Sequence, residues 1–221
     1  MVRNVFVLGR TGSGKSTVVR FLRETVQQFG WSVKTFNDYP ILREMYESEA
    51  RRSFRPTDHD GFEVLDLSVY ETAIRSLAQQ VQSYCPINDR TFNTVEFTSN
   101  NYRDALQFFD NTLLQDAYFI FVAADLKTCL ERTSKRAFYR ATEDDYYVID
   151  SVLLSHYPCP YVPPCINKGK VTLIENMGLL DEVRFTMNRY VLRLLEHDGQ
   201  SYLSVPEYHL SAAFTDKCCK W

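Results

Sequence analysis

A chain of 221 residues, 45% hydrophobic and 24% charged, suits one α/β domain with a sizeable core, and its 14 Tyr and 15 Phe exclude a disordered chain. The net charge of −3 gives no basic excess of the kind used to grip duplex DNA, so nucleic acid is not the expected partner. The apolar run in MVRNVFVLGR is too short for a signal peptide, and no window approaches the ~18 apolar residues of a membrane span. The expectation is therefore a soluble, cytoplasmic protein, with its six cysteines mostly reduced.

Strand and helix patterns alternate along the chain, which signals a parallel sheet with crossover helices. Asn4–Leu8 is apolar and β-branched, a first strand. A helix runs from near Lys15 to near Gly30, and Trp31–Asn37 reads as the second strand. Pro40–Arg52 is helical, with Pro40 tolerated in the first turn. Ser53–Gly61, SFRPTDHDG, reads as a turn-rich loop. Val69, Ala73, Leu77 and Val81 recur every four residues, so Asp66–Tyr84 is a long amphipathic helix. Phe92–Phe97 is a short strand, and Tyr102–Leu114 a helix. Ala117–Ala123 is continuously apolar, as a buried central strand requires. Leu126–Arg136 is helical, and Phe138–Pro164 is long and irregular. Lys170–Glu175 and Leu179–Glu196 are the last strand and the last helix. The fold expected over residues 1–196 is α/β, a parallel five-stranded sheet flanked by helices. Residues 197–221 form a tail with no clear period.

Gly9-Arg10-Thr11-Gly12-Ser13-Gly14-Lys15-Ser16, followed by Thr17, matches G-x-x-x-x-G-K-[ST] in full. Its glycines let the backbone wrap closely, so that N–H groups converge on phosphate oxygens. The helix that follows presents further N–H groups to the same anion. Lys15 is expected to reach the β- and γ-phosphates of a nucleoside triphosphate, and Ser16 to place its hydroxyl on Mg²⁺. Three of the chain's eight glycines fall within these residues, between an apolar strand and a helix, which separates the match from chance. A GTP switch is excluded by its guanine-reading segment. The only Asn-Lys is Asn167-Lys168-Gly169-Lys170, which lacks the following acid.

The order of these parts resembles the P-loop kinases, the adenylate, thymidylate and deoxynucleoside kinase group, over roughly residues 1–196. The resemblance implies an ATP- and Mg²⁺-dependent phosphotransferase acting on a small-molecule acceptor, with a nucleoside or nucleotide leading. It implies that Asp38, in Phe36-Asn37-Asp38-Tyr39, meets the acceptor, and that Glu96, in Thr94-Val95-Glu96-Phe97, organises Mg²⁺ or the acceptor. It further implies a P-loop fold with a lid segment at about 132–164, from which Arg132, Arg136 and Arg140 clamp phosphate charge, and that Asn176 lies in the loop under the adenine. Thymidylate and deoxynucleoside kinases place Arg directly after the third-strand acid, where this chain has Phe97.

Each residue also has a plainer reading. Asp38 can cap the helix that follows it, and Glu96 can be a surface strand-end acid. Arg132, Arg136 and Arg140, four residues apart, can form a solvated face. Arg43, Arg51, Arg52 and Arg55 can meet an acidic acceptor or simply line a helix surface. Tyr39, Phe62 and Tyr102 can stack on a ring or fill the core. His156, Cys159 and Cys165 supply three ligands, one short of a structural zinc site. Rival functions are a kinase of a nucleic-acid end or nucleotide-sugar, and a non-catalytic nucleotide-binding module. An oligomer is left open.

Overall fold

The computed structural model describes residues 2–49, 53–57, 61–99, 101–138 and 170–196. Its elements in chain order begin with β1 (Val2–Gly9), α1 (Lys15–Gln28), β2 (Ser32–Asn37) and α2 (Asp38–Glu49). There follow β3 (Phe54–Pro56), β4 (Phe62–Val64), α3 (Ser68–Ser83), β5 (Thr91–Phe97), α4 (Tyr102–Leu106) and α5 (Asn111–Asp116). The described chain closes with β6 (Tyr118–Ala123), α6 (Leu126–Phe138), β7 (Val171–Glu175) and a last helix, α7 (Leu180–Glu196).

Five strands form one sheet in the order β2-β5-β1-β6-β7, every neighbouring pair parallel. Parallel pairing needs crossover helices, and those helices cover both faces. Period-two alternation sends the β1 side chains in turn to either side. Val5 and Val7 join Phe92, Ile120 and Val122 beneath α1 and α7, packed on Val18, Leu22, Val183, Met187 and Val191. Phe6 and Leu8 join Val95, Phe97, Phe119 and Phe121 on the other face, under Leu42, Ile74, Leu77 and Phe109. All seven β5 residues are buried, because β5 is central and covered twice. No helix among the described residues is long and apolar enough to cross a membrane.

Three local readings change. Ser53–Gly61 is not wholly loop: Phe54–Pro56 pairs antiparallel with Phe62–Val64. Pro56 and Gly61 dominate the local signal, whereas Phe54, Phe62 and Val64 are anchors buried in the core beside Tyr39 and Tyr46. The expected helix Tyr102–Leu114 is broken into α4 and α5. The break places Phe109 edge-on to Phe6, with ring centroids 5.0 Å apart, and the core contact overrides helix propensity. Helix α2 starts at Asp38 rather than at Pro40, and Asn37 Oδ1 accepts the Tyr39 N–H at 2.8 Å. Asn37 thus performs the local capping that the plainer reading gave to Asp38.

Arg51, Arg52, Arg140, His156, Cys159 and Cys165 lie outside the described residues, as do 139–164 of the expected lid and the tail from His197.

Candidate active site

Strand β1 ends at Gly9 in the middle of the sheet, between β5 and β6, and the chain then turns over the carboxyl edge into α1. Ligands of open parallel sheets bind at this edge. Gly14 precedes α1 with φ 97° and ψ 27°, a left-handed conformation that favours glycine. No side chain caps α1, and its first turn carries no acid, so its leading N–H groups face an anion without competition. Gly12 has φ 79°, and a Cβ there would stand 2.6 Å from the Cys129 carbonyl oxygen. The loop is thus pressed against α6. Ser13 Oγ is buried without a hydrogen-bond partner in the structure. It lies close against Gly9, where a Cβ would stand 2.8 Å from it.

Lys15 is 4% exposed. Its ammonium donates to the carbonyl oxygens of Gly9 at 3.1 Å and Arg10 at 3.3 Å, and to Thr98 Oγ1 at 2.9 Å. Ser16 Oγ donates to Glu96 Oε1 at 2.8 Å, and Glu96 is 3% exposed. The register explains the pairing: Glu96 is level with Val7 of β1 and with Asn37 of β2. Asp38, 4% exposed, stands one residue beyond that level, and its Oδ2 accepts the Thr98 N–H at 3.0 Å. Burial pushes the Asp38 carboxyl up to about 6. The Thr98 N–H and the Lys15 charge act downward, while the Glu96 charge adds to the rise.

On the far side of the loop, Asn176 Nδ2 donates to the Ser13 carbonyl at 2.7 Å, and Arg132 Nη1 donates to the same oxygen at 3.3 Å. Arg132 Nη2 also donates to Asn176 Oδ1 at 3.3 Å. Asn176 is held in turn by its own N–H, which donates to the Ala123 carbonyl at 2.7 Å. The structure thus brings together Gly9–Thr17, Asp38, Glu96, Arg132 and Asn176. Arg136 lies four residues further along α6.

Other candidates are engaged by neighbours of their own. Arg43 Nε donates to Glu47 at 3.0 Å on an exposed helix face. Arg55 Nε donates to Glu63 at 2.7 Å within the β3–β4 hairpin. Tyr39 and Phe62 stack on one another, with centroids 5.8 Å apart. Phe97, which stands where the resemblance calls for Arg, is fully buried against Tyr102 and Phe109.

Sequence reasoning missed two residues. Thr98 follows β5 and touches both Lys15 and Asp38. Tyr102, weighed only as a ring or as core, holds Gly9 through its hydroxyl. A polar Thr-Ser pair directly after a buried strand was the available signal for the first.

The oxygen donors fit the groups implied. Ser16 and Glu96 place a hydroxyl and a carboxylate together beside the phosphate loop, the hard-oxygen set that Mg²⁺ takes along with phosphates and water.

The family model for deoxynucleoside kinase matches residues 5–147 of the chain. No curated protein sequence matches it. Among solved structures, the shikimate kinase from Acinetobacter baumannii in complex with shikimate superposes with a TM-score of 0.51 at 15% identity, covering 90% of this chain and 97% of that one. The APS kinase from Mycobacterium tuberculosis, solved with AMPPNP and APS, gives 0.51 at 18% identity, covering 88% and 97%. Kti12 from Chaetomium thermophilum, solved with ADP-AlF3, gives 0.53 at 12% identity, covering 85% and 96%. At these identities the likeness shows the P-loop fold. With the family match over nearly two thirds of its length, the chain belongs to the deoxynucleoside kinase family, and it is a phosphotransferase that uses a nucleotide to phosphorylate a small molecule.

Proposed function

We propose that this protein transfers the γ-phosphoryl group of ATP, with Mg²⁺, to a hydroxyl or phosphate of a nucleoside or nucleotide. The observation that carries the reading is the convergence of Lys15, Ser16, Glu96 and Asp38 at the carboxyl ends of β1, β5 and β2. Phosphate-binding and acceptor-orienting groups thereby share one buried edge.

In this reading the N–H groups of Gly9–Thr17 and the start of α1 hold the triphosphate, and the Lys15 ammonium leaves its carbonyl partners for phosphate oxygens. Mg²⁺, held by Ser16 and Glu96, would supply charge neutralisation on the β- and γ-phosphates. Asp38 orients the acceptor hydroxyl and takes its proton. Its raised affinity for a proton suits that task, because a base works best when its pKa lies near the working pH. Arg132 and Arg136 would neutralise charge that develops on the transferring group.

Phe97 removes the guanidinium that the family resemblance calls for after the third-strand acid, so acceptor contacts in this chain are built elsewhere. The test is an ATP-consumption screen with Mg²⁺ against deoxynucleosides, nucleosides, nucleotides, sugars and cofactor precursors, with Lys15→Ala as the control. Nucleoside- or nucleotide-dependent consumption that Lys15→Ala abolishes is expected. Consumption driven by another class alone overturns the acceptor assignment.

A further inference from the structure

Lys15 and Asp38 are both almost fully buried charged residues on opposite sides of the site. Buried ionised groups need close polar partners, because bulk water cannot serve them. Both find one in Thr98. Its hydroxyl accepts from Lys15 Nζ at 2.9 Å, and its backbone N–H donates to Asp38 Oδ2 at 3.0 Å.

The placement follows from the sheet order. Strand β5 runs between β2, which delivers Asp38, and β1, which delivers the phosphate loop. The residue that leaves the end of β5 is therefore the one that can touch both. Phe97, fully buried, anchors the strand end, and the next residue begins the turn. Thr98 meets the lysine with its side chain and the acid with its main chain, so the two contacts do not compete for one atom.

Lys15 cannot serve a phosphate and remain as it stands. Nucleotide arrival draws its ammonium toward phosphate oxygens, and the Thr98 hydroxyl is then released or must follow. Any shift of Thr98 moves the N–H that fixes Asp38.

We propose that Thr98 is a positioning residue for phosphoryl transfer, coupling the state of the phosphate loop to the placement of the acceptor-side acid. The proposal rests on the reading of Asp38 given above. Thr98 touches neither reacting atom in it; it acts through Lys15 and Asp38.

The test compares Thr98→Val, which keeps the shape and removes the hydroxyl, with Thr98→Ser, which keeps the hydroxyl. The full chain is assayed with MgATP and an equimolar mixture of the four deoxynucleosides, and AMPPNP affinity is measured by titration. Thr98→Val should lower kcat about tenfold while AMPPNP affinity changes by less than about twofold, the size expected for one hydrogen bond to a charged group. Thr98→Ser should restore most of the rate. In an Asp38→Asn background, Thr98→Val should cost clearly less than it does alone, because the acid it positions is already gone. Unchanged kcat in Thr98→Val, equal losses in kcat and AMPPNP affinity, failure of Thr98→Ser to restore the rate, or full additivity with Asp38→Asn each overturns the proposal. Should the mixture not be phosphorylated by the unmodified protein, the acceptor class falls on its own. The same variants are then read by phosphate release from MgATP, with water as the acceptor and the same outcomes deciding.

Discussion

The phenol of Tyr102 grips the backbone of Gly9 from both sides: the Gly9 N–H donates to it at 2.8 Å, and it donates to the Gly9 carbonyl at 3.1 Å. Gly9 is the last residue of β1 and the first of the phosphate loop, and Tyr102 is 1% exposed. The ring packs on Phe97 and Phe121, so a core side chain carries its one polar atom to the entry of the loop. Tyr102→Phe keeps that packing and orphans a buried N–H, which costs about 1–3 kcal/mol. Chemical denaturation should show a loss of that order, with weaker binding of AMPPNP. A variant as stable as the parent, with unaltered nucleotide affinity, would separate Tyr102 from the loop.

Lys15→Ala tests the other end of the same loop. The ammonium bonds polar oxygens at the loop and the end of β5, so removing it should leave circular dichroism unchanged. Phosphoryl transfer should fall below detection, because one positive charge at the β/γ-phosphates is lost. A folded variant with normal turnover contradicts the assignment of Gly9–Thr17 as the phosphate site.

How much of this was legible follows from the reach of each interaction. The phosphate loop is written in eight adjacent residues, and β6 in an unbroken apolar run, so both could be read directly. Asp38 and Glu96 could be placed because each lies at the carboxyl end of a strand, Asp38 just past Asn37 and Glu96 one residue before Phe97. The β3–β4 hairpin hid behind Pro56 and Gly61, since its strands are three residues each and are held by buried rings rather than by local propensity. The partners of Thr98, Tyr102 and Asn176 were not legible. Their bonds span 83, 93 and 163 residues, and no spacing along the chain encodes which loop end will lie beside which strand end.

Asn176, which the resemblance places in the loop under the adenine, donates its amide to Ser13 in the phosphate loop. Arg132 shares that acceptor and also bonds the Asn176 oxygen. The three groups form a closed triangle, so single substitutions should not add. Asn176→Ala and Arg132→Ala should each weaken AMPPNP binding, and the double variant should lose less than the sum, with a coupling of about 0.5–3 kcal/mol. Titration of the four proteins checks this. Strict additivity would mean that the two side chains meet the nucleotide separately.

Asp38 gives the pH dependence a definite sign. Its carboxyl is raised from 3.8 to about 6, chiefly by burial, so the folded state holds this proton more tightly than the unfolded chain does. A raised carboxylate favours the folded state fully below pH 3.8, and this contribution is lost as pH rises through about 6. Across that range the loss amounts to roughly 3 kcal/mol, at about 1.4 kcal/mol per pKa unit. Asp38→Asn removes the titration, so the difference in stability between variant and parent should move in the variant's favour from about pH 4 to about pH 6.5 and then level. Urea denaturation at half-unit intervals measures it. In the proposed reading the kinetic profile runs the other way: the base must be ionised to take a proton, so kcat/KM, which reports the ligand-free protein, should climb with pH on an acid limb near 6 and reach its plateau where the parent has lost that stability. Asp38→Asn should lower kcat strongly and leave AMPPNP affinity nearly unchanged if, as proposed, the acid serves the acceptor rather than the nucleotide. A stability difference that is flat from pH 4 to 8 would deny the raised carboxyl, and equal losses in turnover and nucleotide affinity would move Asp38 to the nucleotide side.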